Sequence, residues 1–192
     1  MKGDHQEQPR KSSPTSTSRV NILLVDDRPD KLMALESVLA ELGQNLVIAQ
    51  SGKESLRLLL RDDFAVILLD VNMPVMDGFE TAAFIRSREK SAHTPIIFVS
   101  AINSADNHVS RGYQLGAVDY IFSPVVPEIL RAKVSVFIDL FRKNEQLKRS
   151  EALFRRIFDD APIGMALLDR NERYQRVNQA FCAMLGYERD QL

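Results

Sequence analysis

The chain has 192 residues, 45% of them apolar and 27% charged, the balance of one ordinary globular domain with an appendage or of two very small ones. Its formal net charge of −1 gives no overall basic field that would draw nucleic acid or an anionic membrane. The only cysteine, Cys182, has no internal disulfide partner and fits a reducing, cytoplasmic setting, and the longest apolar run, Phe64 to Leu69, is far too short to span a membrane.

Residues 1–19 hold one apolar residue, Met1, and a Ser/Thr/Pro block at 12–18. Such a segment cannot offset its own ordering entropy, so a disordered tail with no secretory leader is expected there. From Val20 the pattern changes. Ile22-Leu23-Leu24-Val25 is a short apolar run ending in Asp26-Asp27. A helix follows, with Leu32, Leu35, Val38, Leu39 and Leu42 on one face and Gly43 as its stop. Leu46 to Ala49 is the second run, and a helix is expected over about 51–60. Phe64 to Leu69 ends in Asp70, with a helix from near Gly78. Pro95 to Val99 ends in Ser100; a weaker helix over 105–115 precedes the fifth run, Val118 to Phe122. Continuous apolar runs alternating with helices predict strands buried on both faces, hence a doubly wound α/β fold with a five-stranded parallel sheet. Right-handed crossovers bring all strand C-termini to one edge, where such folds bind ligands.

After Pro127 nothing breaks a helix until Pro162, so an extended last helix is expected over about 126–158. Leu140, Leu147 and Phe154 recur every seven residues, and Ile129, Val136 and Ile157 fall on the complementary seam, interrupted by Lys143 and Ser150. The pairs Asp139–Lys143, Glu145–Arg149 and Glu151–Arg155 stand at i,i+4 in the favourable order. About 30 residues make a rod of roughly 45 Å, longer than a small domain can cover. A two-stranded coiled coil, and so a homodimer, is the simplest partner for that seam.

The chemistry gathers at the strand ends. In the strand order 2-1-3-4-5 the strands ending in Asp26-Asp27 and in Asp70 are neighbours, so three carboxylates meet. Like charges in contact are costly, and a cation removes the cost. An all-oxygen site that keeps waters and awaits a phosphate suits Mg²⁺, with the Asn72 backbone carbonyl completing the shell. Ser100, ending the fourth strand, can donate to a group mounted on Asp70. A carboxylate beside a divalent metal can attack a phosphoryl group and form an acyl phosphate.

Asp26-Asp27, DVNMPVMDG at 70–78, Val99-Ser100-Ala101 and Tyr120-Ile121-Phe122-Ser123-Pro124 closely resemble the receiver domain of two-component response regulators, over about residues 20–142. The resemblance implies the flavodoxin-like, CheY-like form of the fold. It implies Asp70 as phospho-acceptor, Asp26 and Asp27 as the acidic Mg²⁺ pair, and Asn72 as the carbonyl ligand. Ser100 then moves toward the phosphoryl group, and Tyr120 is the aromatic switch that follows it. The implied partner is a sensor histidine kinase or phosphotransfer protein.

One position departs from the pattern. Where the family has Lys before the proline, this chain has Ser123, which supplies no charge. Arg111 or a water is a possible substitute. Two readings follow: a site that still accepts phosphate with altered lifetime or output, or a degenerate receiver that signals by oligomerisation; the intact carboxylates favour the first. The resemblance also implies a cis Ser123–Pro124 bond.

Residues 153–192 resemble the opening of a PAS sensory domain, with strands over 163–168 and 173–177 and a helix from Asn178. This incomplete PAS-like α+β segment, 159–192, reads as the start of a longer parent, a hybrid sensor kinase or a diguanylate cyclase among the candidates. The chain itself lacks a Gly-rich nucleotide loop and a Gly-Gly-Asp-Glu-Phe string, so it is expected not to be an enzyme. An aspartyl phosphatase would want a second acid where Asn72 stands. No helix-turn-helix follows the receiver-like part to argue for DNA binding.

Overall fold

The computed structural model describes residues 18–101 and 119–187. The expected helix at 105–115, Arg111 and all but the end of the 1–19 tail lie outside the described residues. The apolar runs form β1 (Asn21–Val25), β2 (Asn45–Ala49), β3 (Val66–Asp70), β4 (Ile96–Ala101) and β5 (Asp119–Ser123). All pair in parallel, in the order β2-β1-β3-β4-β5. β1 and β3 are buried almost throughout. β2 departs from the expectation of burial on both faces: Leu46, Val47 and Ile48 are only half-buried, because β2 is an edge strand with one neighbour.

The helices between strands start and stop where their sequences dictate. Helix α1 (Pro29–Leu39) begins on a proline, whose missing N–H costs nothing at a first turn. A 3-10 turn, Ala40–Leu42, carries it to Gly43, whose φ of 62° closes the helix in the left-handed conformation. Helix α2 (Gly52–Arg61) is capped by Ser51, which accepts from the Glu54 N–H at 3.2 Å. Helix α3 (Gly78–Arg86) opens on a capping box: Asp77 accepts from the Glu80 N–H at 2.7 Å, and Glu80 accepts from the Asp77 N–H at 3.1 Å. Leu23, Ile67, Leu69 and Phe98 meet Leu56, Leu59, Phe79 and Ile85 in one core. Ile22, Leu24, Leu68 and Ile97 alternate with the sheet members of that core and are buried on the opposite face.

The chain divides into two compact units, 1–135 and 136–192, and the division falls within one unbroken helix, α4 (Pro127–Asp159). In the first unit its opening turns are held by ion pairs of Arg131 with Glu41, at 3.3 Å, and of Lys133 with Asp119. Along α4, Leu130, Val134 and Ile138 are buried, one every four residues. The seam residues Ile129, Val136, Leu140, Leu147, Phe154 and Ile157 remain 45–66% exposed. Of the three expected ion pairs, Glu151–Arg155 forms at 3.0 Å, whereas Glu145 pairs with Lys148 at 3.1 Å rather than with Arg149. Both i+3 and i+4 positions neighbour a helical residue, and spacing does not choose between them. Asp139 and Lys143 are not joined.

The second unit adds an antiparallel pair, β6 (Ala166–Leu168) and β7 (Tyr174–Val177), and helix α5 (Gln179–Leu185). β6 is shorter than the expected 163–168, since the Met165 N–H is drawn to the Asn178 side chain at 2.8 Å. Asn178 is fully buried, and its amide makes four hydrogen bonds. Its oxygen accepts from Met165 and from the Phe181 N–H that opens α5; its nitrogen donates to the Phe158 carbonyl at 3.0 Å and the Ile163 carbonyl at 2.9 Å. Arg176 pairs with Asp159 at 2.9 Å and lies over the rings of Phe154 and Phe158.

Candidate functional site

The ends of β1 and β3 are adjacent in the sheet, and this adjacency builds the site. Val25 stands opposite Leu69, so Asp26 and Asp27 leave β1 beside the residue that ends β3, Asp70. One carboxylate oxygen from each of Asp26, Asp27 and Asp70 lies within 4.8 Å of the others. Asp26 and Asp70 are buried, and Asp27 is half-buried.

Each buried carboxylate is held on one side by backbone. The Arg28 N–H donates to Asp26 Oδ1 at 2.9 Å, and the Asn72 N–H donates to Asp70 Oδ2 at 2.8 Å. The sequence predicts a role for the Asn72 carbonyl; what the structure adds is its N–H, which orients the Asp70 carboxylate.

The remaining oxygens face a residue that the sequence reading did not single out. Lys31, in the first turn of α1, donates from Nζ to Asp70 Oδ1 at 2.8 Å and stands 3.2 Å from Asp26 Oδ2. The second contact is Coulombic, because buried Asp26 Oδ2 has no hydrogen-bond partner. Burial works against the Lys31 charge, but the hydrogen bond to Asp70 and the fields of Asp70 and Asp26 outweigh it, and its pKa is raised. Burial likewise pushes the Asp26 carboxyl up, and the charge of Asp70 adds to this; the Arg28 N–H and Lys31 oppose it. Apolar periodicity does not mark Lys31, and the one signal that could find it is electrostatic. A first helical turn favours acids, and a lysine there works against the helix dipole unless carboxylates face it.

The Asp26 oxygen, ion-paired with Lys31 but without a hydrogen bond, and the all-oxygen donor set together fit a hard divalent cation such as Mg²⁺. Arg28 is turned to Asp30, at 2.5 Å, and is not the counter-charge.

The other expected residues lie on the same sheet edge or beside it. Asp70 pairs in register with Val99, so Ser100 is one step beyond it on β4, and it is buried. Tyr120 is buried on β5 and is packed inward, its ring 5.2 Å from Phe98 and 6.2 Å from Phe122. Phe98 in turn meets Phe79 of α3 at 5.0 Å. Ser123 ends β5, and the Ser123–Pro124 bond is cis, as the resemblance implied.

The loop from Asp70 to α3 closes tightly on the end of β3. The Gly78 N–H donates to the Val71 carbonyl at 3.0 Å. A β-carbon at Gly78 would lie 2.3 Å from the Asp70 carbonyl oxygen and 2.9 Å from the Val71 Cα. Val75, in the same loop, is fully exposed with a φ of 69°, an uncommon conformation for a β-branched residue.

Residues 22–135 match the family model of the response regulator receiver domain, and residues 152–192 match a PAS domain. A probable cyclic di-GMP phosphodiesterase of Vibrio cholerae is 33% identical over 130 residues, covering 68% of this chain and 29% of that protein. A probable transcriptional regulator, ycf27, of Porphyridium aerugineum is 29% identical over 170 residues, covering 87% of this chain and 66% of that one. The chain thus spans only part of the length of these relatives. Among solved structures, the receiver domain of the sensor histidine kinase PA1611 of Pseudomonas aeruginosa, with magnesium coordinated in its active-site cleft, is 29% identical. It aligns over 64% of this chain and 99% of its own at a TM-score of 0.59. The Vibrio cholerae chemotaxis protein CheY4 is 28% identical over 62% of this chain and 99% of its own, with a TM-score of 0.58.

Proposed function

The chain belongs to the response regulator receiver family of two-component signalling, and from that premise we propose that Asp70 is its phospho-acceptor and that Asp26, Asp27, Asp70 and the Asn72 carbonyl hold Mg²⁺. The donor is a phosphohistidine on a sensor histidine kinase or phosphotransfer protein. An Asp70 carboxylate oxygen forms a bond to phosphorus as the phosphorus–nitrogen bond of the donor breaks. The leaving imidazole keeps the electron pair and takes up a proton. Held by Asp26, Asp27, Asp70 and the Asn72 carbonyl, Mg²⁺ would supply charge neutralisation to the transferring oxygens. The Asn72 N–H fixes which Asp70 oxygen is free to react, and the Ser100 hydroxyl donates to the new phosphoryl group. Tyr120, packed among Phe98 and Phe122, reports that movement to the surface beside β5.

The observation that carries this reading is the meeting of three carboxylates at the β1 and β3 ends, one oxygen of which is buried without a hydrogen bond. The test is intact-mass analysis after incubation with acetyl phosphate and Mg²⁺. The wild-type chain gains one phosphoryl group, and neither D70N nor an EDTA-treated sample does. An equal gain by D70N would refute the assignment.

Receiver domains are signal transducers rather than enzymes, so the output lies beyond the receiver, through α4 and the PAS-type segment. The exposed heptad seam on α4 supports a homodimer through that helix. The retained carboxylates favour a working acceptor over a degenerate receiver despite Ser123. A second reading makes the chain part of a hybrid sensor kinase. It is favoured by solved relatives that are themselves receiver domains of histidine kinases, and autophosphorylation of the full-length protein from ATP tests it. Among the described residues no helix is long and apolar enough to cross a membrane.

A further inference from the structure

Charge balance at the site demands a monovalent cation that a metal does not supply. Asp26, Asp27 and Asp70 bring three negative charges, and a divalent ion offsets two. Once Asp70 is acylated its own charge is lost, but a phosphoryl group brings about two more. The loaded site is then left with a deficit of about two positive charges, in a region where Asp26 and Asp70 are almost wholly buried and charges are poorly screened. Ser123 at the end of β5 contributes none.

The geometry points to Lys31 as the residue that offsets about half of this deficit: a tethered cation that pairs with the acceptor carboxylate before transfer and with the phosphoryl oxygens after it. Among the described residues, Lys31 is the cation paired with Asp70 and Asp26. Its Nζ already lies 2.8 Å from Asp70 Oδ1, so a phosphoryl group built on Asp70 arises within a bond length or two of it. The side chain is one-third exposed, and its stem of four carbons leaves the ammonium free to follow the charge outward. Arg28 cannot take this place while it forks onto Asp30 through two hydrogen bonds. A lysine in a first helical turn also carries a standing cost against the helix dipole, which the carboxylates offset. This inference deepens the proposed reading and rests on it.

The distinguishing measurement is beryllofluoride affinity at saturating Mg²⁺, with Mg²⁺ affinity measured separately in the absence of beryllofluoride. Both are read by calorimetry on wild type, K31M, K31Q and K31R. Saturating Mg²⁺ supplies the counter-charge that the carboxylates lose with Lys31, and K31Q, of similar reach, serves if K31M does not fold. The expected result is that K31M and K31Q bind beryllofluoride roughly tenfold more weakly, as loss of one charge-assisted hydrogen bond implies, while K31R stays near wild type. Mg²⁺ affinity in K31M and K31Q is unchanged or higher, because a competitor for Asp26 and Asp70 has gone. Beryllofluoride binding that is equal in all four proteins overturns the role of Lys31 and leaves Asp70 as acceptor intact. A parallel weakening of Mg²⁺ and beryllofluoride by the same factor also overturns it, since it reports general damage to the site. Failure of the wild type itself to bind beryllofluoride overturns the proposed function together with this inference.

Discussion

The α-carbon of Gly78 faces the Asp70 carbonyl so closely that a methyl group there would stand 2.3 Å from the oxygen. The helix that follows the β3–α3 loop is seated directly on the Asp70 backbone. G78A is therefore expected to push α3 away from β3, at a cost of about 2 kcal/mol, the scale of an overpacked core. Urea denaturation measures the cost. Acetyl phosphate labelling should fall with it, because the Asn72 N–H bond to Asp70 lies in the displaced loop.

Burial weighs on the Asp26 carboxylate. Its folded pKa is raised above the unfolded value of 3.8, so ionising it costs the folded state more than the unfolded chain. The contribution of Asp26 to the stability of the metal-free protein should then decline as pH rises from near 3.8 through the raised folded value, and level off above it, so that wild type minus D26N isolates it. D26N removes that decline and stabilises the metal-free protein at neutral pH, while abolishing stabilisation by Mg²⁺. Thermal melts with and without Mg²⁺ check both signs.

Val75 holds a positive φ with its side chain in solvent, so it bears strain with no packing to offset it. V75G should raise stability by roughly 1 kcal/mol, the left-handed strain relieved less the flexibility gained by the unfolded chain. A lower urea midpoint for V75G would contradict this.

On α4, Leu140 and Leu147 are 58% and 66% exposed, seven residues apart on one stripe. The double substitution L140E/L147E should leave the first unit folded and convert any dimer to monomer, read by light scattering at matched concentrations. A wild-type chain that is monomeric with and without beryllofluoride and Mg²⁺ would remove the coiled-coil reading altogether.

The sheet was legible because its central strands are buried on both faces and are therefore apolar without interruption. β2 is different, since an edge strand tolerates half-exposed residues that look the same in sequence. The carboxylate cluster was legible once the strand order made β1 and β3 neighbours. Lys31 was not, because apolar periodicity marks Leu32 and Leu35 and is silent about the polar residue between strand end and core. Its contact with Asp70 spans 39 positions and exists only after the sheet has paired. The length of α4 followed from the prolines at 127 and 162, but the choice of Lys148 over Arg149 as partner to Glu145 is a rotamer matter that spacing leaves open.

Asn178 grips the carbonyl of Phe158, in the last turn of α4, with the same amide that starts α5 and anchors the residue before β6. Of those four bonds, the one to Phe158 ties the hairpin to the helix end, and the Arg176–Asp159 ion pair is a second tie beside it. A turn of the helix end therefore either carries the hairpin with it or breaks both ties.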